Sequence, residues 1–289
     1  MTPTPAHAPT HAATPTPTTT NPTPWPAGWD AHVHVFDGRA TPGAHYQPGE
    51  QALARIEALA AAQAVGRLVL VQPSVYGRDN GLLLAALAQS PGRHRGVVVL
   101  GGQESDRELD AMAEAGVRGV RFNAVSPRGN AADTLEWLAP KLRARDWHVQ
   151  WYVAPARWAD VAALSQRHGL VAVLDHLAGI TPAAWAQGDL PMAALARLAD
   201  QGAWLKFSAW YRLDSAPPHD DLVPAIASLH RQFAGRCVWG SDWPHTRFME
   251  PGVPGPVSAY AGLMAPVQRA LSEVDWRQLL QTAAAKLYR

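Results

Sequence analysis

Cysteine is almost absent from this sequence. The single residue, Cys237, cannot form a disulfide within the chain, and it cannot supply a cluster of thiolate metal ligands. Long hydrophobic runs are absent as well, since no stretch approaches the roughly 20 apolar residues of a transmembrane helix. The N-terminus also lacks the apolar core of a secretory signal. We therefore expect a protein without a membrane segment that resides in the reducing cytoplasm.

An excess of charge of either sign is missing too. Lys plus Arg number 25 and Asp plus Glu number 24, so the formal net charge is +1. Nucleic acids and anionic membrane surfaces attract proteins with a large positive excess or a concentrated basic patch. We therefore expect neither nucleic acid nor a membrane as a partner. Hydrophobic residues make up 47% of the chain, which is enough to bury a sizeable core.

The first 26 residues differ in composition from the rest of the chain. Pro and Thr supply 17 of them, and none is Asp, Glu, Lys or Arg. A segment with so little to bury cannot offset the conformational entropy that it would lose on ordering. The sequence therefore predicts a disordered tail over residues 1–26 and one folded domain over residues 27–289.

From residue 29 onward, short β-branched or aromatic runs alternate with longer runs rich in Ala, Leu and Arg. The first texture is typical of strands and the second of helices. The predicted strands are Trp29–Phe36, Arg67–Ser74, Gly96–Leu100, Gly119–Asn123, His148–Val153, Val171–His176, Ala203–Ser208 and Cys237–Ser241. The predicted helices are Gln51–Ala64, Asn80–Gln89, Asp106–Ala115, Ala132–Ala144, Trp158–His168, Pro191–Asp200, Leu222–Phe233, Val257–Ala270 and Trp276–Leu287.

Eight strands that alternate with helices indicate an α/β fold of the closed (β/α)₈ TIM-barrel type. An open doubly wound sheet is the structural alternative. Such a sheet normally carries a Gly-rich turn after its first strand, whereas the first strand here ends His-Val-Phe-Asp-Gly. We therefore expect a barrel.

Side-chain alternation indicates which strand residues face the barrel mouth. Alternate residues of a strand point to opposite sides of the sheet, and barrel active sites lie at the C-terminal strand ends. We expect the apolar set to pack on the helices and the polar set to face the mouth. The opposed sets are Val69 and Val71 against Gln72 and Ser74, Val120 and Phe122 against Arg121 and Asn123, Trp151 and Val153 against Gln150 and Tyr152, and Leu205 and Phe207 against Lys206 and Ser208.

Three predicted strands end in residues that can do chemistry. His32 and His34 share one face of the first strand, where two neutral imidazoles can share a metal ion or a substrate oxygen. Asp175-His176 follows one apolar run, and Asp242 follows another. The structural alternatives are ordinary strand or core histidines, and an aspartate that caps the next helix. Their places at barrel strand ends favour the functional interpretation.

Together these segments resemble the amidohydrolase superfamily, in particular the branch of 2-pyrone-4,6-dicarboxylate lactonase and related sugar- and muconolactone hydrolases. The resemblance spans residues 29–289 and rests on the segments DAHVHVFD, GVRFN, WYV, LDH and GSDWPHT. It implies a hydrolase in which Asp242 is the general base for water. It also implies that His32, His34 and His176 bind a divalent metal or the substrate's carbonyl oxygen. The implied substrate-contacting positions are Tyr46, Ser74, Arg121, Arg128, Tyr152 and Arg212.

The reaction that the resemblance implies is hydrolysis of a small carboxylated or sugar lactone. Asp242 would take a proton from water and return it to the leaving oxygen, while Arg121 and its neighbours would clamp a carboxylate. The pyrone lactonase has an arginine three residues after the strand-end histidine, and this sequence has Gly179 there. We therefore expect a monocarboxylated or sugar lactone rather than the dicarboxylate.

The resemblance also bears on the metal. Many superfamily members bridge two metals with a carboxylated lysine, but strand four reads Gly-Val-Arg-Phe-Asn here, and the in-strand Lys206 falls on strand seven. We expect no required metal. The alternative is one divalent ion such as Zn²⁺, with the ligands His32, His34, His176 and Asp242.

Other functions on the same barrel stay open at this point. They are a lactone isomerase, a metal-dependent decarboxylase and a non-catalytic binding protein. The presence of all four candidate catalytic residues weighs against the last. Product analysis separates the first two from hydrolysis.

Overall fold

The computed structural model describes residues 1, 25–40, 44, 46–125, 133–249 and 259–289. Residues 2–24, most of the predicted tail, lie outside this range. In the described part, eight parallel strands form one sheet in chain order, and they are numbered here β1 to β8. The strands are Gly28–Val33, Val65–Val71, Arg95–Val98, Val117–Asn123, His148–Tyr152, Ala172–Leu174, Trp204–Ser208 and Cys237–Gly240. The predicted (β/α)₈ barrel is confirmed, with strand ends displaced by at most three residues.

The barrel closes between its first and last strands. The amide of Asp242 donates a hydrogen bond of 2.9 Å to the carbonyl of His32, and the amide of His34 donates one of 2.9 Å to the carbonyl of Trp243. These bonds continue the contact of β1 with β8 past the end of β8. The closure therefore brings the His32–His34 segment beside Asp242, although more than 200 residues separate them in the chain.

Helices cover the outside of the barrel. They are α1 Leu53–Ala61, α2 Gly81–Ala88, α3 Asp106–Glu114, α4 Thr134–Arg143, α5 Trp158–His168, α6 Pro182–Gln187, α7 Met192–Asp200, α8 Val223–Gln232, α9 Tyr260–Ala270, α10 Glu273–Arg277 and α11 Ala284–Leu287, with a π-helical segment, Gln278–Ala283, before α11. Residues 132 and 257–258, at the starts of two predicted helices, lie outside the described residues.

Local sequence signals account for several helix ends. A capping box begins α3, since the Ser105 hydroxyl accepts from the amide of Glu108 and the Glu108 carboxylate accepts from the amide of Ser105. Gly169, at a φ of 60°, ends α5 in the left-handed conformation that glycine tolerates. The sequence prediction missed α6, whose first turn is capped by the Thr181 hydroxyl. Within the described residues, every helix is too short or too polar to span a membrane.

The apolar interior has two layers, and one prediction about them is wrong. Val69 and Val71 were expected to pack on the helices. Instead they belong to an inner cluster with Val173, Trp204 and Tyr288, whereas Leu68 and Leu70 belong to the cluster that includes the helices. A barrel interior is filled by layers of side chains, and these valines contribute to one of those layers.

Candidate active site

The paired histidines of β1 lie at the barrel mouth beside the histidine that follows β6. His32 is 0% exposed and His34 is 3% exposed. The ring centroid of His32 lies 5.1 Å from that of His34 and 4.9 Å from that of His176. The structure therefore brings together the three histidines that the sequence had singled out.

Asp242 faces all three imidazoles through one carboxylate oxygen. Its Oδ1 lies 3.4 Å from Nε2 of His32, 3.4 Å from Nε2 of His34 and 3.9 Å from Nε2 of His176. The backbone is left-handed at Asp242, with a φ of 57°, and at His176, with a φ of 51°. Such conformations cost a non-glycine residue on the order of 1 kcal/mol or more, and they concentrate at functional sites.

The other nitrogen of each ring has a partner that limits its tautomer. Nδ1 of His34 lies 2.7 Å from the carbonyl oxygen of Val71, which can only accept, so this nitrogen donates. Nδ1 of His176 lies 2.9 Å from the hydroxyl of Ser208, which can donate or accept. In its neutral form His34 therefore turns an Nε2 lone pair toward Asp242.

Burial sets the protonation of these groups. It lowers the pKa of His32 well below its usual value and the pKa of His176 to about 4, so both rings are neutral at pH 7. Burial alone would raise the pKa of Asp242. The neighbouring imidazoles of His176 and His34 and the charge of Arg212 instead hold that pKa well below its usual range. Asp242 is therefore an ionised carboxylate that can accept a proton.

A second buried carboxylate, Asp175, was not among the predicted site residues. Its Oδ1 lies 3.4 Å from Nδ1 of His32 and 3.7 Å from Nζ of Lys206. Its Oδ2 lies 3.4 Å from Nε of Arg121 and accepts a hydrogen bond of 3.0 Å from Gln150. The sequence did give a reason to consider Asp175, because this residue immediately precedes a strand-end histidine.

Lys206 is the buried cation beneath this carboxylate. Its Nζ donates to the carbonyl of Ala31 at 2.9 Å and to the side-chain oxygen of Gln150 at 2.6 Å. Burial lowers the pKa of Lys206 to about 8, although Asp175 acts in the opposite direction. The amine points into the barrel below the histidines, as the alternation along β7 predicted. Its positive charge therefore lies next to the carboxylate of Asp175.

The predicted substrate-contacting residues divide into two groups. Arg121 and Arg212 flank Tyr152, with guanidinium carbons 5.9 Å and 6.0 Å from its ring centroid, and Tyr152 packs edge-on against His176 at 4.7 Å. Arg212 also donates from Nε to Oδ2 of Asp242 at 3.2 Å. These three side chains form one wall of the mouth next to the catalytic candidates.

The remaining predicted positions are Tyr46, Ser74 and Arg128. Burial raises the pKa of Tyr46, against the effects of Arg212 and of a hydrogen bond with Thr246. Ser74 begins a one-turn helix after β2, and its half-buried hydroxyl makes no hydrogen bond within the described residues. Arg128 lies outside the described residues.

A tyrosine that the sequence gave no reason to select completes the surroundings of Asp242. The hydroxyl of Tyr211 donates a hydrogen bond of 2.5 Å to Oδ2 of Asp242. Burial raises the pKa of Tyr211 well above its usual value, so this hydroxyl stays protonated. Oδ2 is thus held by Tyr211 and Arg212, and Oδ1 faces the histidines.

The donor set fits one divalent cation. Ligand atoms of His32, His34 and Asp242 all lie within 4.8 Å of one another, as do those of His32, Asp175 and His176. Nε2 of His32, Nε2 of His176 and Oδ1 of Asp242 are buried and make no hydrogen bond within the described part of the chain. Imidazole nitrogen and carboxylate oxygen are ligands that Zn²⁺ accepts. These residues could therefore hold a metal ion.

Comparison with known proteins agrees with the resemblance seen in the sequence. The sequence profile of a family described as amidohydrolase matches residues 29–289. A 4-sulfomuconolactone hydrolase of Rhizobium radiobacter is 31% identical over 232 residues, which are 77% of this chain and 77% of that protein. A 2-pyrone-4,6-dicarboxylate hydrolase of Comamonas testosteroni is 32% identical over 236 residues, 75% of this chain and 76% of that protein.

A solved structure shares the fold over nearly the whole length. It is that of a Pseudomonas putida protein described as a 2-pyrone-4,6-dicarboxylic acid hydrolase, with a TM-score of 0.80 and 28% sequence identity. The match covers 91% of this chain and 97% of that one.

Proposed function

The chain belongs to the amidohydrolase family, and from this membership we propose that it hydrolyses the ester bond of a small lactone. One observation carries the proposal. Oδ1 of the ionised, buried Asp242 faces three imidazole nitrogens at the barrel mouth, while its Oδ2 is held by Tyr211 and Arg212. Activation of a water molecule requires a proton acceptor whose lone pairs are not already occupied by other donors. The two hydrolases to which the chain is similar act on lactones, according to their names.

Two acceptors at the mouth support a position for the attacking water. Oδ1 of Asp242 and Nε2 of His34 are both acceptors when His34 is neutral, and they are 3.4 Å apart. A water that lies beside both atoms can donate one hydrogen to each. Asp242 then takes the proton as the water oxygen bonds to the carbonyl carbon.

The carbonyl oxygen needs a donor as negative charge develops on it. The hydroxyl of Ser208 can donate to Nδ1 of His176, which places the imidazole proton on Nε2. Nε2 of His176 then donates to the carbonyl oxygen. Collapse of the tetrahedral intermediate breaks the ring C–O bond, and Asp242 returns its proton to the leaving alkoxide.

Asp175 orients the remaining histidine. Its carboxylate lies 3.4 Å from Nδ1 of His32 and is flanked by Lys206 and Arg121. A carboxylate so placed favours the tautomer with a proton on Nδ1, as in other carboxylate–histidine pairs. The Nε2 of His32 is then an acceptor on the water side of the site.

Substrate charge follows from the arginines at the mouth. Arg121 and Arg212 flank Tyr152 and can bind one carboxylate or a set of hydroxyl groups. Gly179 has a φ of +78°, and a Cβ added there would lie 3.0 Å from the carbonyl oxygen of Val153. A longer side chain at this position would be strained. We infer a monocarboxylated lactone or a sugar lactone as the substrate.

We infer that no metal is required for these steps, because every proton transfer and hydrogen bond above uses a side chain of the protein. His32, His34, His176 and Asp242 are the residues that would hold a divalent ion. When bound, such an ion would lower the pKa of a water molecule and polarise the carbonyl.

The test is product analysis on a lactone panel. The purified protein is incubated with a monocarboxylated lactone, a sugar lactone and the pyrone dicarboxylate, and the products are identified by mass and by acid release. We expect products that have gained one water. Products of unchanged mass would indicate an isomerase and loss of CO₂ a decarboxylase, and either result would overturn the proposal.

A further inference from the structure

The two oxygens of Asp242 have different surroundings. Oδ1 faces the three imidazoles, whereas Oδ2 accepts a hydrogen bond of 2.5 Å from the Tyr211 hydroxyl and one of 3.2 Å from Nε of Arg212. The carboxylate is 1% exposed. The hydrolysis steps above use Oδ1 and give Tyr211 no part.

We propose that Tyr211 is a positioning residue that holds Oδ2 of Asp242 and thereby makes Oδ1 the oxygen that exchanges protons with water and the leaving group. The inference rests on the proposed role of Asp242 as general base. The proton moves from water to Oδ1 and later from Oδ1 to the leaving alkoxide. The Tyr211 hydroxyl keeps its own proton throughout.

The need for such a group follows from aspartate geometry. The last torsion of an aspartate side chain is broad and roughly two-fold, so an unheld carboxylate interchanges its oxygens. A hydrogen bond to a charged acceptor is stronger than one between neutral groups. A short hydrogen bond to one oxygen therefore prevents this interchange. It keeps the lone pairs of the other oxygen directed at the water.

Tyr211 is itself fixed independently of Asp242. It lies in a turn, Trp210–Leu213, that follows β7 and is flanked by the left-handed residues Ala209 and Asp214. Trp210 anchors the turn through a hydrogen bond of 2.8 Å from its indole nitrogen to the carbonyl of Leu263. This anchored turn therefore positions the Tyr211 hydroxyl.

Ring contacts hold the phenol as well. The Tyr211 ring centroid lies 5.2 Å from that of His245, edge-on, and 5.0 Å from that of Phe248. These contacts do not depend on the hydroxyl. Replacement by phenylalanine therefore removes the hydrogen bond and retains the packing.

Arg212 is the less suitable candidate for this role. Its side chain is 18% exposed, it donates to the hydroxyl of Thr246, and it lies over the rings of Tyr152 and Tyr211. These contacts direct it toward the wall where a substrate carboxylate would bind. The hydroxyl of Tyr211, in contrast, is directed at Oδ2 of Asp242.

The experiment is a double-mutant cycle of Tyr211→Phe and Asp242→Asn, with kcat and KM measured on a hydrolysed lactone. Tyr211→Phe should lower kcat by about 10- to 100-fold, the effect of losing one hydrogen bond to a charged group, and leave KM within about twofold. In the Asp242→Asn background the same substitution should change kcat less than about threefold, because residues that act through one another are not additive.

Tyr260→Phe is the matched control. The Tyr260 hydroxyl is buried and donates a hydrogen bond of 2.8 Å to another buried carboxylate, that of Asp30, which takes no part in the proposed steps. Both tyrosine variants should lose a few degrees of melting temperature. Only Tyr211→Phe should lower kcat by tenfold or more.

The outcomes separate this inference from the proposed function. A raised KM with unchanged kcat in Tyr211→Phe would make the residue a substrate contact and overturn the inference, and so would equal effects in both backgrounds. A loss of kcat in Tyr260→Phe that matches the loss in Tyr211→Phe would show that both losses reflect lower stability, and it would overturn the inference. If Asp242→Asn alone kept native turnover, the proposed function would fail instead.

Discussion

Ser208 and His176 are joined at the mouth of the barrel by a contact of 2.9 Å between the serine Oγ and the imidazole Nδ1. Both side chains are buried, at 0% and 1% exposure. The contact occupies Nδ1 of His176 and leaves Nε2 to face a substrate. In the proposed mechanism, a residue one strand away favours the tautomer of His176 with a proton on Nε2.

Removal of this serine hydroxyl is expected to impair turnover more than folding. In Ser208→Ala, Nδ1 of His176 loses its donor, and the tautomer with a proton on Nε2 is no longer favoured. One hydrogen bond contributes about 1 kcal/mol, so we expect kcat on a lactone to fall roughly 5- to 10-fold. Ser208→Thr, which keeps the hydroxyl, should recover part of the loss. Equal kcat in the alanine variant and the native protein would contradict the assigned role of His176.

Metal removal tests the inference that the protein's own side chains suffice. After dialysis against a chelator, we expect kcat to stay within about twofold of its starting value, because the proposed steps use Asp242, His34 and His176 directly. Metal content is measured on the same samples. A loss of activity that Zn²⁺ or Mn²⁺ restores would show instead that the histidines work as a metal centre.

Gly179 leads to a prediction about substrate charge. Its φ of +78° and the 3.0 Å from an added Cβ to the carbonyl of Val153 would strain a basic side chain there. We expect kcat/KM to be higher for a monocarboxylated lactone or a sugar lactone than for the pyrone dicarboxylate. A dicarboxylate preferred by tenfold or more, about 1.4 kcal/mol, would mean that another basic residue supplies the second clamp.

The buried carboxylate of Asp30 should make stability depend on pH. Oδ1 accepts from the amides of His32 and Ser241, and Oδ2 accepts from Tyr260. Burial raises its pKa from 3.8 to about 6, against these hydrogen bonds. A raised pKa means that the folded state binds the proton more tightly. The contribution of Asp30 to stability is therefore fully present below pH 4 and is lost as pH rises through about 6.

Asp30→Asn removes this titration and keeps the shape of the side chain. Relative to the variant, the free energy of unfolding of the native protein should fall by about 1.4 kcal/mol per pH unit between pH 4 and 6. Urea unfolding of both proteins at pH 4.5, 5.5 and 7 measures the difference. A difference that does not change with pH would show that Asp30 is not protonated in the folded state.

The barrel could be predicted from the sequence because parallel strands buried on both faces stand out as apolar runs. Strand-end residues such as His32, His176 and Asp242 were found for the same reason, since the polarity changes abruptly where each run ends. The alternation also placed Lys206 correctly inside the barrel. It failed for Val69 and Val71, because apolar side chains also fill part of a barrel interior.

The partners of the candidate catalytic residues were harder to assign from the sequence. Asp175 contacts His32 across more than 140 positions of sequence, and its neighbours Arg121 and Lys206 come from two other strands. Tyr211 is adjacent to an arginine that was selected, but nothing in its local pattern marks it. Such roles depend on distances that only the closed barrel sets.

The most direct test of the account is the turnover of Asp242→Asn on a lactone that the native protein hydrolyses. The amide keeps the shape of the carboxylate but cannot accept the proton of water, so kcat should fall by roughly 10²- to 10⁴-fold, while the substrate Kd stays within a few-fold. Asp110→Asn, an exposed carboxylate on α3, is the control and should keep native turnover. An Asp242→Asn protein with near-native kcat would contradict the central claim that Asp242 activates the water.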